Sequence, residues 1–380
     1  MMHSRLPQNV VHTIISLVDD RATLCRCALS GRELLPASRL NLLYDVAITP
    51  AKFNHLACMG DVEFLAPYFY SLQLCDDKNQ PWIHTFFDRF SLILLHLRYL
   101  VLIQLQAHMH PVIPSDSIPR HRYASLTTLT ISNGTFQSFP HLQTLVCAFP
   151  HVMRLIIEGV EWKRSCGDSS DIALHGPLLE QLWFNARNEG DVTTLVDWVL
   201  CTPSAHSIRD LSLCSRGVLN AYDMPAVERL AESLGPTLEH FEISLRHCSQ
   251  NDGVNLSSNT CLRSLYVRDV GSGTWDSFVL LLAQRISPAA LTCLSLDLHI
   301  PTAEDLHAFQ VDFQAGLDNV LTKKAFSRLQ AVTVWLRSAP PSMTPLELVN
   351  VMELCRPTLP SGCVYQIKPW WDLGSAQHST

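Results

Sequence analysis

The chain has 380 residues, of which 47% are hydrophobic and 17% charged, and its 28 basic and 35 acidic side chains give a formal net charge of −7. A large core is therefore possible, and the acidic balance disfavours a nucleic-acid partner, which is usually bound by a basic stripe. The 13 cysteines are odd in number and scattered through apolar segments, a pattern that predicts free thiols in the cytoplasm or nucleus.

The first 45 residues predict three short helices. Leu6-Pro7 stands at a helix start, where the fixed φ of proline is well tolerated. Apolar residues then recur at helical spacing, at Val10, Val11, Ile14, Ile15, Leu17 and Val18. Asp19-Asp20 ends this helix and caps the second, and Pro36 begins the third. So small a bundle exposes apolar surface, and we expect a partner to cover it.

The residue order of these helices carries a resemblance. The matching strings are Leu6-Pro7-x-x-Val10-x-x-x-Ile14-Ile15-x-Leu17, Asp20-Arg-Ala-Thr-Leu24-x-x-Cys27-Ala-Leu29-Ser30, Leu35-Pro36-x-Ser38-Arg39 and Leu43-Tyr44-x-Val46. Together they resemble an F-box, and more narrowly they are similar to the F-box proteins abundant in mushroom-forming (basidiomycete) fungi. The chain departs from the family at Ser30, Gly31 and Leu34, where valine, cysteine and tryptophan are frequent.

The resemblance implies a function. In that family the motif docks on a Skp-type adaptor and through it on a cullin, so that the protein is the substrate receptor of an SCF-type ubiquitin ligase. The adaptor-binding residues that the resemblance implies are Leu6, Pro7, Val10, Ile14, Leu17, Leu24 and Leu34. The alternative, which the three departures favour, is a protein-interaction scaffold without ubiquitin-ligase function, in which the bundle only closes one end of the repeats.

Beyond the bundle, the string L-x-x-L-x-L recurs, as in Leu126–Ile131. Its middle apolar residues are Leu72, Leu100, Leu129, Leu155, Leu182, Leu211, Phe241, Leu265, Leu294 and Val332. The steps between them are 24 to 30 residues, apart from the last, which is 38. Leucine-rich repeats have a period of roughly 20–29 residues, with one strand and one return segment each. The predicted fold class is therefore α/β: an F-box followed by a leucine-rich-repeat solenoid with parallel strands on its concave side and return helices outside.

We predict three parts: a helical bundle over 1–45, an irregular repeat solenoid over 46–368 and a C-terminal tail over 369–380. Short strands are predicted at 45–48 and 364–367. Return helices are predicted over 51–59, 81–96, 191–200, 225–234, 274–286, 302–321 and 345–355. The proline-containing segment 106–123 and the segment 163–171, rich in serine, glycine and aspartate, are predicted to be loops.

The substrate surface is predicted from strand alternation. If the leucines of each string point into the core, the residues between and after them face outward, onto the sheet surface that repeat proteins use for binding. Among these residues, aromatic and arginine side chains are the best candidates for binding hot spots. The predicted substrate-binding residues are Trp183, Tyr266, Arg268, Asp297 and Trp335. The alternatives are that a loop or helix covers the aromatic rings, and that Arg268 and Asp297 only pair with each other.

No sequence motif predicts chemistry. The chain lacks G-x-S-x-G, G-x-x-x-x-G-K-[ST], H-E-x-x-H and G-x-G-x-x-G. Some metal-binding residue types occur in the loop, without ligand spacing, at His108, His110, Asp116 and His121. The most apolar stretch, 91–105, is interrupted by His96 and Arg98 and is too short for a membrane span of about 20 residues. We predict no catalytic residue, metal, cofactor or membrane partner.

Overall fold

The computed structural model describes residues 7–59, 62–77, 79–90, 93–106, 123–163, 176–188, 190–215, 223–245, 254–287, 290–338, 343–354 and 356–369. The chain divides into two compact units, Met1–Leu178 and Leu179–Thr380. Leu6, the tail beyond Pro369, the four candidate metal-binding residues and most of the two predicted loops lie outside the described residues.

The first unit begins with the three predicted helices, α1 (Gln8–Ser16), α2 (Arg21–Ser30) and α3 (Leu35–Leu43). Asp20 caps α2, because its carboxylate accepts hydrogen bonds from the hydroxyl (2.6 Å) and backbone N–H (2.7 Å) of Thr23, which lower its pKa. Gly31 follows α2 in an extended conformation, so it ends the helix and does not interrupt it. The bundle core contains Val11, Ile15, Leu24 and Ala37.

Parallel strands follow in the first unit. They are β1 (Asp45–Ile48), β2 (Ser71–Cys75), β3 (Tyr99–Ile103), β4 (Thr128–Ser132), β5 (Thr135–Phe136), β6 (Arg154–Glu158) and β7 (Glu161–Trp162). β1, β2, β3, β4 and β6 pair side by side in that order, while β5 pairs with β7. The middle leucines are mutually aligned and fully buried: Leu72 lies opposite Leu100, Leu100 opposite Leu129, and Leu129 opposite Leu155.

The return helices of this unit are α4 (Pro50–Cys58), α5 (Ile83–Phe90) and α6 (Phe139–Cys147). α5 is shorter than the helix predicted over 81–96. It begins late because Asp76 accepts a hydrogen bond from the backbone N–H of Trp82 (2.9 Å), which ties that residue to the preceding loop. Beyond its end, a turn bond from Leu97 N to Leu94 O (3.3 Å) replaces helical bonding.

The second unit repeats the arrangement. Its strands, all parallel, are β8 (Gln181–Ala186), β9 (Asp210–Ser215), β10 (His240–Ser244), β11 (Ser264–Val270), β12 (Cys293–His299), β13 (Ala331–Ser338) and β14 (Val364–Pro369). The predicted middle positions are again in register, from Leu182 on β8 to Val332 on β13. The predicted α/β fold of parallel repeat strands is confirmed, because this register places the recurring leucines in the core.

The helices of the second unit are α7 (Asp191–Leu200), α8 (Met224–Leu234), α9 (Trp275–Leu280), α10 (Ala303–Ala308), α11 (Gln314–Leu321) and α12 (Pro345–Leu354). π-helical turns extend α9 over Leu281–Arg285 and join α10 to α11 over Phe309–Phe313. Because this turn joins α10 and α11 into one helical segment from Ala303 to Leu321, the return before β13 is long, which explains the 38-residue step. Short 3₁₀ turns lie at Val62–Phe64, Ala66–Tyr68, Pro203–His206, Gly235–Thr237, Ser272–Thr274 and Lys324–Phe326.

Several strands turn at the same repeat position, the second residue after the third apolar one. Gln104, Asn133, Gly159 and Asp269 occupy it, and each has a left-handed φ between 54° and 61°. Backbone bonds join successive turns: Gln104 N donates to Ser132 O (2.9 Å), and Asn133 N donates to Glu158 O (2.7 Å). In β3, β4 and β6 this position directly follows the last residue of the strand, whereas β11 continues past it to Val270.

Candidate functional site

Two surfaces contain the predicted binding residues, and the first is the outer face of the second unit's sheet. Trp183 on β8 lies opposite Ser212 on β9, and Tyr266 on β11 lies opposite Ser295 on β12. Asp297 on β12 lies opposite Trp335 on β13. Four predicted residues, Tyr266, Arg268, Asp297 and Trp335, thus share three adjacent strands, while Trp183 lies three strands from β11 with 39% of its surface exposed.

One ion pair links β10 to β11. Glu242 pairs with the Nε of Arg268 and also accepts a hydrogen bond from the Ser212 hydroxyl (2.7 Å). The guanidinium carbon of Arg268 stands 5.2 Å from the centre of the Tyr266 ring, a cation–π contact. Burial raises the pKa of the Tyr266 phenol, so the ring stays neutral. Arg268 is therefore held between a carboxylate and an aromatic face.

A second group of charges surrounds Arg337. Its Nη1 donates to Asp269 (3.2 Å) and its Nε pairs with Asp297, and the Ser244 hydroxyl donates to Asp269 (2.8 Å). Burial raises the pKa of Asp297 to about 7 although Arg337 opposes the shift, and neighbouring Asp269 raises it further.

One expectation for this face was wrong. Asp297 was expected to be exposed, but it is fully buried, with the side chain of Arg337 against its carboxylate. The ion pairs also differ from the alternative in which Arg268 and Asp297 only pair with each other: Arg268 forms an ion pair with Glu242, and Asp297 forms one with Arg337. Whether any of these residues binds a substrate stays a prediction.

The sequence reasoning missed Asp269 and Arg337. Arg337 follows Trp335 by two residues, so continuing the strand alternation by one step would have placed it on the outer face. Asp269 could not be found in this way. It lies in a β-bulge between Val267 and Val270 with φ of 56°, and the bulge breaks the alternation.

The same face contains a buried thiol and a second cation–π contact. Burial raises the pKa of Cys214 to about 12, with Glu242 adding to the shift, so the thiol is protonated and is a poor nucleophile. The Lys368 ammonium lies 5.1 Å from the ring of Trp335. The face offers aromatic surface and held charges, which suits recognition of a protein.

The second surface is the outer side of the helical bundle. Pro7, Val10, Ile14 and Leu17 are exposed, with Ile14 50% and Leu17 77% accessible. Their spacing places Val10 and Ile14 on one side of α1, with Leu17 directly after the helix on the same side, about 100° around the helix axis from Val11 and Ile15 in the core. Further exposed apolar residues on the bundle, not among those predicted, are Leu29, Leu40 and Tyr44.

Two predicted adaptor-binding residues lie elsewhere in the bundle. Leu24 is buried in the core, and Leu34 is partly buried against it. Leu24 is the one residue of α2 that is buried, so it supplies this helix's share of the bundle core. In this structure these two leucines support the bundle, and a docking role for them stays a prediction.

No family model matches the sequence, and none of the curated proteins matches it. Solved structures show low-level similarity. A chain of the yeast Rad7–Elc1 complex is 12% identical, over 94% of this chain and 91% of that one, with a TM-score of 0.40. A Bacteroides fragilis protein is 9% identical, over 83% of this chain and 68% of that one, with a TM-score of 0.37. Likenesses at this level support no inference about function.

The described residues offer little for metal chemistry or membrane insertion. Within them, no three His, Cys, Asp or Glu side chains are grouped so that they could hold a metal ion. None of the helices in the same ranges has the length and apolar character required to cross a bilayer.

Proposed function

We propose that this protein is the substrate-recognition subunit of an SCF-type ubiquitin ligase. The outer face of α1 docks a Skp-type adaptor, which joins a cullin, and the outer sheet face of the second unit binds a substrate protein. The chain itself is not an enzyme, since ubiquitin transfer belongs to other subunits of the ligase. Such a receptor acts in the cytoplasm or the nucleus.

The observation that carries this proposal is that α1 has two apolar faces. Val11 and Ile15 fill the bundle core, so Val10, Ile14 and Leu17 are not needed to hold the bundle together. Exposed apolar groups on one helical face cost solubility unless a partner covers them. The order of these residues also resembles an F-box, whose family uses this helix to meet its adaptor.

The substrate half of the proposal is supported by the outer sheet face. Trp183 is well exposed, and an indole offers a large area with a polar N–H, as binding hot spots commonly do. The charges near Tyr266 are already held by partners on neighbouring strands, so little side-chain freedom is lost on binding.

A matched pair of substitutions on α1 tests adaptor docking. Ile14→Glu introduces a charge into the apolar face, whereas Asn9→Glu introduces the same charge at an exposed polar position of the same helix. We expect Ile14→Glu to weaken binding of a purified Skp-type adaptor at least about tenfold, or about 1.4 kcal/mol, measured by calorimetry, with an unchanged circular dichroism spectrum. Equal binding by both variants would overturn adaptor docking through α1.

The second candidate function is an interaction scaffold with no ligase link. It is favoured by the departures at Ser30, Gly31 and Leu34 and by the burial of Leu24, which leaves fewer apolar groups for an adaptor. Under this alternative the unmodified chain binds no Skp-type adaptor in the same calorimetric measurement. Its partner protein nevertheless binds and is not ubiquitinated in a reconstituted reaction.

A further inference from the structure

Three tyrosines mark the joint between the bundle and the first repeat strands. Tyr44 is the single residue between α3 and β1, Tyr70 directly precedes β2, and Tyr99 begins β3. Backbone bonds connect them in sequence. Ser71 N donates to Tyr44 O (2.7 Å), and the N–H groups of Arg98 and Tyr99 donate to Tyr70 O (2.9 and 3.1 Å).

The side chains of these residues form a stack, which we call the tyrosine ladder (Tyr44, Tyr70 and Tyr99). The rings of Tyr44 and Tyr70 are 4.5 Å apart and inclined by 18°, and those of Tyr70 and Tyr99 are 5.4 Å apart. The Arg98 guanidinium carbon lies 5.5 Å from the centre of the Tyr70 ring. Tyr44 is 45% exposed and Tyr99 39% exposed, so the ladder lies at the surface, outside the apolar core.

One residue, Tyr44, links the bundle to β1, so its backbone dihedral angles contribute to the direction in which the bundle leaves the strands. α3 ends at Leu43 and β1 begins at Asp45, so rotation about the bonds of Tyr44, which has φ −60° and ψ −46°, would swing the whole bundle. Rotation about ψ would also separate the ring of Tyr44 from that of Tyr70, because the side chain lies on the bundle side of that bond. α3 also contacts the Ala66–Tyr68 turn, and the Ser71 hydroxyl donates to Asp45 (2.8 Å).

We propose that the tyrosine ladder fixes the direction in which the bundle leaves the first three strands, and that Tyr70, which contacts both other rings and Arg98, is its positioning residue. The functional consequence rests on the proposed function. An adaptor docked on α1 inherits this direction, and transfer between tethered groups depends on how well their relative placement is defined.

The direct test measures a distance distribution within the first unit and does not depend on any ligase. Spin labels are attached to unnatural amino acids at two exposed positions, Arg26 on α2 and His141 on α6, because the native cysteines exclude thiol labelling. Double electron–electron resonance should give a single narrow distribution for the wild type. We expect Tyr70→Ala to at least double its width, and Tyr70→Phe, which keeps the ring, to leave it unchanged.

Variants that lose the fold are separated by circular dichroism and thermal unfolding. If Tyr70→Ala does not fold, Tyr44→Ala replaces it, since the side chain of Tyr44 is half exposed. A folded alanine variant with the wild-type width would overturn the proposal. In a reconstituted ligase, Tyr70→Ala should slow ubiquitin transfer several-fold at unchanged adaptor affinity. A wild-type chain that binds no adaptor would overturn the proposed function. The distance measurement would still show whether the tyrosine ladder fixes the direction of the bundle.

Discussion

Asp297 shows how a carboxylate can lie buried on a sheet face. Its charge is compensated by the Arg337 guanidinium, but that guanidinium also serves Asp269, so two carboxylates share one cation in this group. Removing an ionised carboxylate from water is costly, and a shared partner repays only part of the cost. The pKa of Asp297 accordingly rises from 3.8 to about 7.

This pKa shift predicts a pH-dependent stability. Because the folded-state pKa is the higher one, the contribution of Asp297 is fully present below about pH 4 and is lost as the pH rises to about 7. The free energy of unfolding of Asp297→Asn, measured relative to that of the wild type, should therefore increase by roughly 1–3 kcal/mol when the pH rises from about 5 to about 8. Urea unfolding at these two pH values measures this difference, with the exposed Asp88→Asn as the control. A wild-type-to-variant difference that is independent of pH would contradict the assignment.

Gly159 supports a second prediction at the scale of one residue. Its φ is +61°, and an added Cβ would lie 2.7 Å from the Oδ1 of Asn133 in the preceding turn. Gly159→Ala should lower the free energy of unfolding by roughly 1–3 kcal/mol, because it combines backbone strain with a close contact. Gly273→Ala, where nothing lies within 4 Å, should change it by less than about 0.5 kcal/mol. Equal losses in chemical denaturation would argue against a special role for this turn.

At the scale of elements, the strands were the most predictable part of the fold. Successive side chains of a strand point to opposite faces of the sheet, so Leu129 and Ile131 can both reach the core only if Thr130 faces away. Neighbouring repeats must then align their leucines to bury them, and the register of Leu100, Leu129 and Leu155 does so. The alternation within each strand and the packing between strands require the same leucine positions, so the positions of the strands could be predicted from the sequence.

The details that the sequence reasoning missed depend on contacts and a bulge that apolar periodicity does not encode. α5 begins after Trp82 because of a hydrogen bond to Asp76, and no local pattern encodes that bond. Asp269 reaches the charges of β13 because a bulge reverses the direction of its side chain. In the bundle, the F-box resemblance assigned Leu24 to docking, but the demand of a small core for apolar volume placed it inside.

At the scale of the whole molecule, the two candidate surfaces belong to different units. The bundle face is in the first unit, and Trp183 with the outer sheet face is in the second. Each surface is built from side chains that its own unit's core does not require. The proposed receptor function requires that the partner on one surface does not displace the partner on the other.

Because the two surfaces share no residue, we predict that the two binding reactions are lost independently. With the adaptor and a substrate protein first identified by purification with the wild-type chain under proteasome inhibition, Ile14→Glu should weaken adaptor binding and leave the substrate dissociation constant unchanged. Trp183→Ala should do the reverse, raising the substrate dissociation constant about tenfold or more, since truncated aromatic hot spots typically cost more than about 1.4 kcal/mol. Thr333→Ala, on the same sheet face, is the matched control with little expected effect.

Effects at sites without shared partners add, so the double variant Ile14→Glu/Trp183→Ala should show both losses of affinity undiminished. If Trp183→Ala also lowered adaptor affinity in a folded protein, the two surfaces would be coupled and the proposed receptor function would need a different architecture.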